Sequence, residues 1–129
     1  MKKIVQFICI ATSTLLVSSC YNDQLPEVPL PANVSFNKDV QGIFNKNCAG
    51  CHKDPTMKPN LSIGNAYNSL MPTDPATGDT YVIPGDAASS ELFQAITGNG
   101  MQIMPPNGAL SNSKIAIIEK WINDGAAKN

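Results

Sequence analysis

Two thiols and an imidazole stand close together near the middle of the chain, in the segment Cys48-Ala49-Gly50-Cys51-His52. On one turn of helix, residues i and i+3 lie on the same side, so both thiols can reach one planar group. This spacing is typical of covalent haem attachment, in which the two Cys form thioethers with haem vinyls and the His ligates the iron. The sequence therefore predicts one covalently bound haem c held by Cys48, Cys51 and His52.

Three other roles are known for two neighbouring thiols. A dithiol redox centre of the thioredoxin type lies in a βαβ unit, which this sequence lacks, and it leaves His52 without a role. A zinc site needs four ligands, but the chain has one His, and its other thiols are Cys9 and Cys20 near the start of the chain. A disulfide between Cys48 and Cys51 would close a short, strained loop. Haem attachment is therefore favoured over all three.

The first residues of the chain resemble the leader of a bacterial lipoprotein. Lys2 and Lys3 precede an apolar run, and Ser18 and Ser19 then lead into Cys20, as in a lipobox. The resemblance implies that residues 1–19 are a lipoprotein signal peptide and that Cys20 becomes the acylated N-terminus. We expect an exported protein, anchored to a bacterial membrane by its lipid and facing the periplasm or the cell exterior.

Two alternatives to this leader have different consequences. An ordinary signal peptide with a Cys near its end would export the protein without a lipid. An uncleaved membrane helix needs about 20 apolar residues, whereas this run is shorter and is interrupted by Thr12, Ser13 and Thr14.

Removal of residues 1–19 would leave seven Lys, no Arg and ten acidic residues, a formal charge of −3. Such a charge excludes a typical nucleic-acid partner.

The domain organisation follows from a shift in composition. Residues 20–33 contain Pro26, Pro29 and Pro31 with few apolar residues, which predicts a stiff, extended tether. Residues 34–127 form the predicted folded domain. A domain of this size buries a limited core, so a covalent haem would supply much of its apolar interior.

Apolar spacing and capping residues predict an all-α domain with about four short helices and irregular loops around the haem. Gly and Pro residues predict a surface loop over 71–84 and irregular chain over 99–110. The last helix carries a hydrophobic staple between Leu110 and Ile115. The predicted helices are a first one capped by Ser35 and ending near Cys48, a weak one over Gly64–Leu70, a third over Ala87–Thr97 ended by Gly98, and a last one from Ser111 to Gly125.

These residues resemble class I c-type cytochromes, in particular a small planctomycete-type cytochrome c domain, over about residues 34–127. The resemblance implies a cytochrome c fold in which the first helix packs against the last. The resemblance rests on the CxxCH segment, which is Cys48-Ala49-Gly50-Cys51-His52, and on residues on either side of it. These are Val40 and Phe44, Pro84-Gly85-Asp86, Ser90 and Leu92, Met104-Pro105-Pro106, Leu110-Ser111, and Trp121-Ile122 with Gly125-Ala126.

The resemblance also places a Met on the iron opposite His52, in the loop before the last helix. Met104 is the expected ligand, because a thioether favours ferrous iron and two following prolines stiffen its loop. Met101, three residues earlier, is the rival. Met57 and Met71 are interpreted as core filler.

Further contacts with the haem are implied by the same resemblance. A proline carbonyl accepts the Nδ1 hydrogen of the proximal His in this family, and Pro59 is the matching residue here, with Pro55 as the alternative. The chain departs from the family in having no Arg, so Lys, Tyr, Trp, Asn or backbone donors must meet the haem propionates. The candidates are Tyr67, Tyr81 and Trp121.

The predicted function is one-electron transfer by a membrane-anchored, mono-haem cytochrome with His52 and Met104 as axial ligands. Its partners would be redox proteins that the sequence does not identify. A peroxidase or gas-binding protein would need an open iron position and distal acid or base groups, which the single His and the absence of Arg make scarce. A haem-bearing sensor or accessory subunit would have the same haem site as a carrier, so that alternative stays open.

Overall fold

The computed structural model describes residues 29–54, 56–71 and 80–129. This part of the chain contains four α-helices and no β-strand, and the first helix is preceded by a π-helical segment. The prediction of an all-α domain is confirmed. The predicted signal peptide, Cys20 and most of the predicted tether lie outside the described residues. The π-helical segment is Phe36–Val40, and the α-helices are α1 Gln41–Asn47, α2 Ala66–Leu70, α3 Glu91–Thr97 and α4 Asn112–Asn123.

The first helix begins after Ser35, as predicted. Ser35 is extended, and its hydroxyl accepts a hydrogen bond from the Lys38 amide at 3.3 Å. The first turn is wider than an α-helix, because the amide of Gln41 donates to the Phe36 carbonyl five residues earlier. The chain then continues as α1 and ends beside Cys48, so this helix delivers the first thiol.

The third helix starts later than the sequence predicts. It begins at Glu91, not at Ala87, because Ser90 is extended and its side chain closes a turn. The Ser90 hydroxyl donates to the Asp86 carbonyl at 2.7 Å and accepts from the Ile83 amide at 2.9 Å. Four residues that were assigned to a helix therefore form the turn that leads into it.

Two further features differ from the sequence prediction, the start of the second helix and the burial of a loop residue. The second helix begins at Ala66 and not at Gly64. Gly64 has a φ of 84°, a left-handed conformation that a regular right-handed helix does not contain. The loop predicted at the surface over 71–84 includes Val82, whose side chain is fully buried. Residues 72–79 of that loop lie outside the described residues.

An aromatic cluster holds the first and last helices together. We define it as Phe36, Tyr67 and Trp121, with the Phe36 ring centroid 5.2 Å from each of the other two. The Tyr67 hydroxyl donates to the Ala126 carbonyl at 3.0 Å, and the Trp121 indole donates to the Ala127 carbonyl at 3.0 Å. The cluster therefore ties the residues after α4 to the beginning of the domain.

Candidate haem-binding site

A cavity of about 460 Å³ lies between the CxxCH segment and the loop before α4. This volume is within the usual range of small-molecule sites, about 300–1,000 Å³. Leu61, Leu92 and Ile96 give it apolar walls, which suit a porphyrin face. The cavity brings together five of the residues predicted from the sequence, namely Cys48, Cys51, His52, Pro59 and Met104.

The CxxCH segment continues the first helix as a tight turn. The amides of Cys51 and His52 both donate to the Cys48 carbonyl, at 3.1 and 2.9 Å. Both Cys are free thiols, so the structure has no disulfide between them. Burial raises the pKa of the Cys48 thiol to about 11, and the positive charge of Lys114 opposes this rise. The thiol is therefore protonated at neutral pH, and with Cys51 it would hold a haem through thioethers to the vinyl groups.

His52 is oriented by a backbone carbonyl. Its Nδ1 donates to the Pro59 carbonyl at 3.1 Å, which assigns the hydrogen to Nδ1 and leaves Nε2 as the nitrogen that can ligate a metal. The loop that carries Pro59 is closed by the Leu61 amide, which donates to the His52 carbonyl at 2.7 Å, and the Asn60 amide ties it to the Ser69 hydroxyl of α2 at 2.7 Å. Pro55, the alternative acceptor, lies outside the described residues.

Gln41 supports this loop, and sequence reasoning missed it. Its side chain is 7% exposed, and its amide nitrogen donates to the Leu61 carbonyl at 3.1 Å and to Asn45 at 2.9 Å. A buried amide is stable when its donors are paired, so Gln41 links α1 to the His52 loop. The sequence does contain a signal for this role. Gln41 stands between the apolar residues Val40 and Ile43, at the edge of the apolar stripe of the helix, where a polar side chain is expected to be partly buried.

The opposite wall of the cavity is the loop that carries Met104. The Met104 amide donates to the Ala95 carbonyl of α3 at 2.8 Å. Ile103 packs on Gly98, where a Cβ would lie 3.4 Å from the Ile103 side chain, and Gly98 has the left-handed φ of 71° that ends α3. The end of α3 therefore positions Met104 beside the cavity.

Three methionines line the cavity, namely Met57, Met101 and Met104. Met57 is 47% exposed, so its interpretation as core filler is wrong. Met71 is half-buried and packs on the core, in agreement with that interpretation. Met104 is half-buried whereas Met101 is 38% exposed, so Met104 is the more enclosed of the two ligand candidates.

Two further features are absent from the described part of the chain, a cluster of metal-ligating side chains and a membrane-spanning helix. Nowhere in residues 29–54, 56–71 and 80–129 do three or more His, Cys, Asp or Glu side chains group in a way that could hold a metal ion. Within the same ranges, no helix has the length and apolar character needed to cross a membrane.

Comparison with known proteins identifies the family. The model of the family described as cytochrome c oxidase, cbb3-type, subunit III matches residues 37–122, about two thirds of the chain. The chain belongs to this family of class I c-type cytochrome domains. Its cofactor is accordingly covalently bound haem c, and its cytochrome c domain serves haem-based electron transfer.

One relative from a planctomycete is similar in sequence and in structure. The chain is 34% identical over 124 residues to hydrazine synthase subunit alpha of Kuenenia stuttgartiensis, covering 72% of this chain and 15% of the relative. The solved structure of Kuenenia stuttgartiensis hydrazine synthase superposes with a TM-score of 0.58 at 28% identity, over 73% of this chain and 16% of that one. The cytochrome domain thus matches a small segment of a much longer enzyme subunit.

Proposed function

We propose that this protein is a mono-haem, one-electron carrier whose iron is ligated by His52 and Met104. The observation that supports it most directly is the cavity, since the CxxCH residues and Met104 line the same space. When both axial positions of the iron are taken by protein ligands, no position is open for a substrate. This arrangement is that of a carrier and not of a haem enzyme.

The chain's own residues each have a defined part in this function. The haem iron, when bound, supplies the one-electron couple. Cys48 and Cys51 fix the group covalently, and the Pro59 carbonyl holds the His52 ring with Nε2 directed to the iron. Met104 offers a soft, neutral thioether that stabilises the ferrous state. Leu61, together with the apolar residues of α3, keeps water away from the group.

Replacing Met104 with Ala tests the ligand assignment. The variant should lose the sulfur-to-iron charge-transfer band at the red end of the ferric spectrum, have a lower midpoint potential and bind carbon monoxide when reduced. Met101→Ala is the matched control, because this methionine lines the same cavity three residues away, and it should cause none of these changes.

The two outcomes that contradict this assignment differ in what they overturn. If Met101→Ala alone removes the band, the ligand is Met101 and the electron carrier remains. If neither variant matters and the wild-type protein binds carbon monoxide rapidly, the iron position is naturally open and the carrier proposal fails.

The proposed carrier is anchored to the outer side of a bacterial membrane by a lipid on Cys20, at the end of the Pro-rich tether. Cys20→Ser should move the protein to the soluble fraction and leave its haem spectrum unchanged, since the substitution lies outside the cytochrome domain. Membrane fractionation and mass spectrometry of the mature N-terminus measure this. Cleavage elsewhere with an unacylated Cys20 would remove the lipoprotein part of the proposal.

A second candidate function is a haem-bearing accessory module that exchanges electrons with an enzyme. It is favoured by the match to about 15% of an enzyme subunit, hydrazine synthase subunit alpha. Such a module would co-purify with a catalytic partner at fixed stoichiometry, whereas a free carrier would exchange electrons with unidentified redox proteins in transient encounters. Size-exclusion chromatography of the detergent-solubilised native protein distinguishes the two.

A further inference from the structure

Two Asn-Gly pairs lie on either side of Met104 in the loop before α4. They are Asn99-Gly100 and Asn107-Gly108, and all four residues are exposed. An asparagine followed by glycine can react with its own backbone, because a residue without a Cβ leaves its amide nitrogen open to the preceding side chain. Neither pair lines the haem cavity, so this chemistry is separate from haem binding.

The reaction is a spontaneous deamidation through a cyclic imide. The glycine nitrogen forms a bond to Cγ of the asparagine, the Cγ–Nδ2 bond breaks, and ammonia leaves with the proton of the glycine nitrogen. Water then opens the ring. Opening at Cγ gives aspartate, and opening at the backbone carbonyl gives isoaspartate, whose peptide link runs through Cβ and Cγ. Either product carries a carboxyl group that is ionised at neutral pH.

The two pairs differ in the state of the attacking amide. The Gly108 amide donates to the Pro105 carbonyl at 3.3 Å, and this bond must break before the nitrogen can react. Within the part of the chain that the structure describes, neither the Gly100 amide nor the Asn99 side chain has a hydrogen-bond partner. A Cβ on either glycine would meet no atom within 4 Å beyond its chain neighbours, so access is equal and the hydrogen bond is the difference.

The backbone that follows Asn99 is held at two points. Ile103 packs on Gly98, where a Cβ would lie 3.4 Å from it, and the Met104 amide donates to the Ala95 carbonyl at 2.8 Å. Isoaspartate adds a carbon to the backbone of the short segment between these contacts. The segment must then bulge outward or release one of them, so we expect the Met104 amide to exchange its hydrogen faster.

We propose that Asn99-Gly100, whose glycine amide has no acceptor, is a site of spontaneous deamidation, and that isoaspartate formed there loosens the loop that holds Met104 beside the haem cavity. The reaction consumes only water and atoms of the chain itself. The proposal does not rest on Met104 being an iron ligand or on electron transfer. In a carrier ligated by His52 and Met104, the same reaction would age the haem site through its ligand loop.

The test follows both pairs in the full-length holoprotein during incubation at mildly alkaline pH, in water labelled with a heavy oxygen isotope. Each deamidation takes up one oxygen atom from water, so peptide mass spectrometry reports its position and extent. Asn99 should react about 5-fold faster than Asn107, the rate ratio that corresponds to one typical backbone hydrogen bond. In the urea-unfolded chain, where the Gly108 amide has lost its acceptor, the two rates should converge.

Hydrogen exchange of the Met104 amide measures the effect on the loop. In the wild-type protein, its protection should fall as isoaspartate accumulates at position 99. Asn99→Gln keeps a neutral amide but lengthens the side chain and slows ring closure, so protection should persist through the same incubation. Asn99→Asp supplies the charge without the longer backbone and should be protected before incubation. Asn107→Gln is the matched control and should age like the wild type.

Three outcomes would overturn the proposal. The first is reaction of Asn107 as fast as Asn99 in the folded protein. The second is a rate difference that is equally large in the unfolded chain, since it would then come from the sequence and not from the fold. The third is aged protein that contains isoaspartate at position 99 and retains full protection of the Met104 amide. All three are measured on the wild-type chain, so a variant that fails to fold leaves the test decisive.

Discussion

The two ends of this small domain are built in different ways. Around the aromatic cluster, Trp121 is 1% exposed and Phe36 is 2% exposed, and the polar atoms of Tyr67 and Trp121 find partners within the chain. On the other side, residues line a cavity of about 460 Å³, and Met57 and Met101 are substantially exposed. One region completes its own packing, whereas the other is shaped for a bound group.

This difference indicates how the haem contributes to stability. A side chain beside a void loses van der Waals contacts on that side, so the cavity walls would gain partners if haem c fills it as proposed. The aromatic cluster gains nothing directly, because Trp121 and Phe36 do not line the cavity. We therefore expect the haem to stabilise α3 and the Met104 loop more than the aromatic cluster.

The largest expected effect comes from removing the covalent attachment. The double variant Cys48→Ala/Cys51→Ala should carry no haem after acid-acetone extraction, and either single variant should retain it weakly. In hydrogen exchange, amides of α3 and the Met104 loop should then lose more protection than those of α4 near Trp121. Haem that survives extraction of the double variant would contradict the attachment, and uniform loss of protection would contradict the difference between the two regions.

A smaller effect is expected from breaking the aromatic cluster itself. Trp121→Ala should lower the free energy of unfolding by about 3–5 kcal/mol, because it removes a fully buried indole. Trp121→Phe is a gentler comparison that keeps a ring but loses the hydrogen bond to Ala127, and it should cost less. Denaturant unfolding of the holoprotein measures both. A change within about 0.5 kcal/mol for Trp121→Ala would show that the indole is not part of the core.

The smallest of the three effects concerns the turn that leads to the cavity wall. Ser90→Ala should cost about 1–3 kcal/mol, because Ser90 is fully buried and the Ile83 amide would lose its acceptor. Ser89→Ala is the matched control, since that side chain is exposed and its hydrogen bonds, from the backbone amide and from the side chain, go to the exposed Asp86 carboxylate and not to a buried group. Thermal unfolding of both variants tests this, and equal melting temperatures would mean that the Ser90 hydroxyl does not hold the turn.

Local chemistry was sufficient for several features of this protein. The CxxCH spacing predicts haem c because both thiols and the imidazole come from one short segment, and membership of the cytochrome family agrees with that cofactor. Ser35 and Gly98 predict helix ends because capping depends on a few neighbouring residues. The all-α class follows from the apolar period of 3.6 residues in the first and last helices.

Tertiary structure decided what depends on residues far apart in the chain. Met57 resembles core filler in the sequence, yet it lines the cavity because the loop after His52 folds back on α2 through Asn60 and Ser69. Val82 lies in a turn-rich stretch, and its burial comes from long-range packing that composition does not encode. The same holds for the donors of Tyr67 and Trp121, whose acceptors are set by how the end of the chain returns to the first helix. The sequence by itself determined which side chains can bind a haem, and the tertiary structure decided which of them share one cavity, because sharing a cavity depends on contacts between distant segments.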